Sequence, residues 1–66
     1  MTLEINGEIR SLPSIKNIEE LLRHLGLGQD RIAVEVNRQL IRRREWDRTP
    51  LNESDKIEIV QFVGGG

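Results

Sequence analysis

The sequence contains no cysteine. That absence excludes disulfides, thiolate metal sites and thiol catalysis together, so any sulfur the protein handles must sit elsewhere than on a side-chain thiol. No apolar run is long enough to cross a bilayer and no signal peptide is present, which predicts a cytoplasmic protein that engages no membrane. Neither sign of charge dominates. Ten Lys and Arg stand against eleven Asp and Glu, a net charge of -1, so the chain as a whole is not built to bind a polyanion. Aromatics are scarce, with only Trp46 and Phe62 present. The basic run Arg42-Arg43-Arg44 therefore has none interleaved with it, and a nucleic-acid reading finds no support. His24 is the single histidine; without a second imidazole or a thiolate beside it, no metal site is expected. Sixty-six residues make one small domain, which buries roughly 60% of its unfolded surface. So small a body leaves little room for a catalytic constellation, and the expectation is a protein that is not an enzyme.

What the sequence does have is a bare end. Gly64-Gly65-Gly66 follows the strand-like run Ile57-Glu58-Ile59-Val60-Gln61-Phe62-Val63 with no polar linker between them. A thread without Cβ atoms can enter a tunnel too narrow for any side chain, and it costs more to order than any other tail. A terminus of this kind suggests a binding partner that does the ordering. The competing reading is a frayed end or an expression remnant.

Upstream, Leu3 and Ile5 alternate with polar residues, and Asn6-Gly7 signals a two-residue hairpin. Glu8 to Leu12 reads as the returning strand, with Ile9 inward and Pro13 helping to end it. Asn17 is placed as a helix N-cap, with Glu20 completing a capping-box-like start. Ile18, Leu21, Leu22 and Leu25 form one apolar stripe, and Gly26 is the expected stop. Ile32 to Val36 alternates as a third strand, and Asn37-Arg38 turns the chain back through Leu40 and Ile41. Residues 42–55 read as a long irregular connection with a short turn near Trp46, which anchors it to the body. In the final strand Ile57, Ile59, Gln61 and Val63 share one face, while Glu58, Val60 and Phe62 share the other. If Ile57 and Ile59 meet the helix, Val60 and Phe62 form a small open apolar patch of the kind that marks an interface. The alternative is that residues 40–51 fold over them as core. The arginine run is either a solvated loop or, through Arg43, a docking point for an acidic partner surface.

Hairpin, helix, strand, short strand, strand is the order of an α+β β-grasp domain: a mixed sheet holding one helix on a single face. Over its whole length the chain resembles the ubiquitin-like sulfur-carrier proteins, and within them the ThiS-type carriers of thiamine biosynthesis. The matching features are the Asn6-Gly7 hairpin, Ile18-Glu19-Glu20-Leu21-Leu22, Val34-Glu35-Val36-Asn37, Arg43 with Trp46, Asp55, and the proline-free run from Ile59 into the glycines. It departs from that pattern at Ser54-Asp55, where relatives often have Gly-Asp, and at the third glycine, Gly64. The resemblance implies a β-grasp domain over residues 1–63, with the last strand beside the first, and a flexible tail over residues 64–66. It implies that the Gly66 carboxylate is adenylated by an E1-like adenylyltransferase at the expense of ATP, with Gly64 and Gly65 threading into that enzyme. A cysteine desulfurase system then supplies sulfur, and the resulting thiocarboxylate donates it to thiazole synthase. No cofactor is expected on the carrier, which should be a monomer when free. Delivery to another acceptor, such as the molybdenum cofactor, use as a protein modifier, and a β-grasp interaction module remain the alternatives.

Overall fold

The computed structural model describes residues 1–62. Val63 and Gly64–Gly66, and with them the expected domain boundary, lie outside the described residues. Strands β1 (Thr2–Ile5) and β2 (Glu8–Ser11) form the first hairpin. Its turn residues Asn6 and Gly7 both have positive φ, at 50° and 84°, the twist that a two-residue connection between antiparallel strands requires. Helix α1 (Ile18–His24) follows, then β3 (Ile32–Val36), β4 (Gln39–Ile41), a 3₁₀ helix (Arg43–Arg48) and β5 (Lys56–Gln61). The β3–β4 hairpin also turns through positive φ, at Asn37 (51°) and Arg38 (69°). The sheet runs β2-β1-β5-β3-β4, with β1 and β5 parallel and the other pairs antiparallel. The final strand, β5, thus lies at the centre, beside the first strand, as a β-grasp demands.

Local chemistry fixes the ends of α1. Asn17 Oδ1 accepts the Glu20 N–H at 2.8 Å, satisfying one orphan donor of the first turn. The Glu20 carboxylate reaches back to the N–H of Lys16 at 3.0 Å, one residue earlier than the reciprocal capping-box bond. At the other end Gly26 has φ +74°. Its N–H donates to the Arg23 carbonyl, and the Leu27 N–H to that of Leu22. These two bonds make a Schellman stop, which needs the left-handed residue that glycine supplies most cheaply. Ile18, Leu21 and Leu22 are wholly buried against one face of the sheet, with Leu25 half-buried. Leu3, Ile5, Val34, Ile57 and Ile59 meet them from the strands.

Three expectations are corrected. Ile9 does not face inward; it is 76% exposed. The tight hairpin sets the register Glu4↔Ile9 and Leu3↔Arg10, so Ile9 shares the face of Glu4, away from the helix, and apolar character on an edge strand does not decide its side. β2 also stops at Ser11, before Leu12, which is buried off the strand with its N–H donating to the Met1 carbonyl. The connection after β4 is more regular than expected, since six of its residues form the 3₁₀ helix. Trp46 on that helix is 2% exposed and donates Nε1–H to the Ile41 carbonyl at 3.0 Å. Leu51 and the Asn17↔Pro50 bridge tie the rest of the segment to the start of α1.

Candidate functional site

The site is built around the end of β5, the strand that leads toward the glycines. β1 stops at Ile5, but the Asn6 side chain carries its ladder one step further. Asn6 Oδ1 accepts the Ile59 N–H at 2.8 Å, and Nδ2 donates to the Ile59 carbonyl at 3.2 Å. A side-chain amide has one acceptor and two donor hydrogens, so it can imitate a neighbouring strand's peptide group. On the other side β3 pairs with β5 as far as Ile32↔Gln61, and the Phe62 N–H donates to the Arg31 carbonyl at 2.7 Å. β5 is therefore held from both sides almost to the last described residue. Asp55 fixes its start: its carboxylate accepts the Asn52 N–H and the Asn37 side-chain amide, while Asn37 Oδ1 accepts the Lys56 N–H.

Val60 and Phe62 are 51% and 58% exposed on the face opposite α1. The cover suggested by residues 40–51 is absent, because the 3₁₀ helix and Leu51 pack on the helix side and Leu40 itself is exposed. The structure adds Leu40 and Glu35 to this face, beside Glu58. Register places Leu40 beside Glu35, Glu35 beside Glu58, and Ala33 beside Val60. Alternation in the sequence could assign Glu58 to the face of Val60, but only cross-strand register brings Glu35 and Leu40 to it. Arg43 lies on the 3₁₀ helix, where Nη1 pairs with Asp30 Oδ1 at 3.2 Å. Asp30 precedes Arg31, whose carbonyl receives the Phe62 N–H, so Arg43 belongs to the same end of the molecule as Phe62. It is not part of the sheet face. Gly64, Gly65 and Gly66 lie outside the described residues.

On the helix side, an open cleft of about 370 Å³ lies under the end of β5, lined by Asn6, Arg10, His24, Leu27, Ile59 and Gln61 among others. Among the described residues no group of three His, Asp or Glu side chains is placed to hold a metal ion. No described helix is long and apolar enough to cross a membrane. The described residues offer a strand end hydrogen-bonded on both sides and an exposed apolar face beside it.

Comparison with known proteins agrees with that geometry. The model of the ThiS family matches residues 3–66, glycines included. The sulfur carrier protein ThiS of Bacillus subtilis is 34% identical over 65 residues, covering 97% of this chain and 98% of that protein. A thiazole synthase of Paramagnetospirillum magneticum is 39% identical over 66 residues, and the match covers this whole chain but 20% of that longer protein. Among solved structures, the thiamine biosynthesis protein ThiS of Geobacter metallireducens superposes with a TM-score of 0.84 at 32% identity, with both chains fully covered. By fold, by family match and by the strand that runs into glycines, the chain belongs to the ThiS family of sulfur carrier proteins of thiamine biosynthesis.

Proposed function

We infer that the protein carries sulfur on the main-chain carboxylate of Gly66. An α-carboxylate is ionised at neutral pH, its ordinary pKa being about 3.3–3.7, and is a poor electrophile until activated. An E1-like adenylyltransferase joins it to the AMP moiety of ATP, releasing pyrophosphate. The terminal sulfur of a persulfide, charged by a cysteine desulfurase, displaces AMP to give an acyl disulfide. A thiol then cleaves the S–S bond, forming its own disulfide and leaving the thiocarboxylate. That sulfur is a better nucleophile than the oxygen it replaces, and thiazole synthase consumes it. The ATP belongs to the activating enzyme, and the carrier is a co-substrate in this scheme and not a catalyst. Its setting is the cytoplasm, where it travels as a monomer between partners.

The observation that carries this reading is the family match extending through residue 66. The missing cysteine supports it, since it leaves the main chain as the place for sulfur. The synthase as acceptor is favoured by the likeness to thiazole synthases, in which a stretch similar to this chain is one part of a longer protein. Val60 and Phe62 form the docking face, Gly64 and Gly65 thread the tail, and Arg43 adds a cation at the same end. ATP–pyrophosphate exchange with the activating enzyme tests the site: the wild type should support exchange and a chain lacking Gly66 should not. Equal exchange by both would refute Gly66 as the activated group.

A further inference from the structure

The open face of the sheet holds a charge arrangement that the folded chain does not balance. Glu35 and Glu58 are direct cross-strand partners between β3 and β5, and both are exposed. They lie opposite α1, because the residues flanking them in the strands (Val34, Ile57 and Ile59) are core. Like charges directly across a strand pair are destabilising, with Cβ atoms about 4.5–5.5 Å apart. The ion pairs among the described residues are Arg23–Glu19, Arg43–Asp30 and Arg44–Glu45, so neither carboxylate takes part in one. Lys56 sits on the same face two positions before Glu58, but its register partner is Glu4, and it makes no ion pair with Glu58. The acidic pair is bounded by exposed apolar side chains: Leu40 beside Glu35 in the same row, and Val60 two positions beyond Glu58.

Two adjacent carboxylates between apolar neighbours make a receptacle for one planar cation. A guanidinium presents five donors in a fixed fork and is weakly hydrated for its charge, which suits it better than an ammonium to a site that becomes dry on docking. We propose that Glu35 and Glu58 together receive an arginine side chain of thiazole synthase, with apolar side chains of that enzyme closing over Leu40 and Val60. This rests on the reading that the synthase is the acceptor. Charge complementarity selects the occupant: the face offers two unpaired acids and an apolar rim, and a second copy of the chain would bring two more acids against them. The repulsion then has a use, since the free carrier bears it and the bound carrier is relieved of it.

A stability and a binding measurement of opposite sign test the assignment. Glu35→Gln and Glu58→Gln each remove the like-charge contact, so each variant should melt higher than the wild type by about 1–5 °C. Each should also bind purified thiazole synthase at least about ten-fold more weakly at low salt, with less dependence on ionic strength. Variants that melt lower than the wild type, or bind the synthase with unchanged affinity and salt dependence, overturn the proposal. The wild type and Phe62→Asp are titrated in parallel. If the wild type does not bind, the acceptor reading falls and this inference with it. If the wild type binds, Phe62→Asp does not and the glutamine variants match the wild type, only the arginine receptacle is lost.

Discussion

Ile59 on β5 and Phe62 just past its end face opposite ways, so the same substitution should fail at each for different reasons. Ile59 is core; an aspartate there is an unpaired charge buried in a domain with little stability to spare. Ile59→Asp should therefore be unfolded at ambient temperature. Phe62 is 58% exposed, and Phe62→Asp should melt within a few degrees of the wild type. Its affinity for both the activating enzyme and the synthase should fall at least about ten-fold, because truncating an interface aromatic commonly costs about 2 kcal/mol or more. Thermal melting paired with titration decides the matter; a Phe62→Asp protein that melts like Ile59→Asp would place Phe62 in the core. In the tail the constraint is steric. A β-branched side chain disfavours positive φ and widens the thread, so Gly65→Val should abolish ATP–pyrophosphate exchange while Gly64→Ala reduces it mildly. Exchange by Gly65→Val at the wild-type rate would count against a narrow channel.

Among the strands, β5 is still held where β1 has already ended. Asn6 supplies both hydrogen bonds to Ile59, and its own φ of 50° is of the kind glycine adopts freely. Asn6→Gly should keep the turn and lose the brace. A destabilisation of about 1–2 kcal/mol is expected, with faster amide exchange at Ile59 than in the wild type; unchanged exchange there would show that the β3 side alone secures the strand. Much of this framework is legible from local chemistry. Asn6-Gly7, the Asn17 cap, the Gly26 stop and the alternation in β3 and β5 each encode their own geometry within a few residues. Ile9 misleads because its side is set by register with β1 and its edge strand has too few neighbours to bury it. The 3₁₀ helix around Trp46 is hidden for a related reason: its regularity comes from tethering to Ile41 and α1, and no apolar period marks it. Ser54, where relatives often carry glycine, does adopt φ 68°, so that departure is one of residue type and the backbone turn is kept. Val60 and Phe62 could be assigned to one face by alternation. That the face is uncovered, and that it includes Leu40 and Glu35, emerges only when three strands are set side by side.

In the proposed scheme the whole molecule divides its labour between a body that is recognised and an end that reacts. One face of the sheet is spent on the core with α1, Trp46 and Leu51, which leaves the other exposed. β5 belongs to both faces, with Ile57 and Ile59 in the core and Val60 exposed. The central claim is that sulfur is carried at Gly66, and intact mass spectrometry tests it most directly. The protein is incubated with its activating enzyme, ATP, a cysteine desulfurase, cysteine and a thiol reductant. The account predicts a species in which one oxygen is replaced by one sulfur, with fragmentation placing the exchange at Gly66. An unchanged mass when the activating enzyme is turning over ATP on this carrier, or sulfur found anywhere but at the terminal carboxylate, would contradict it.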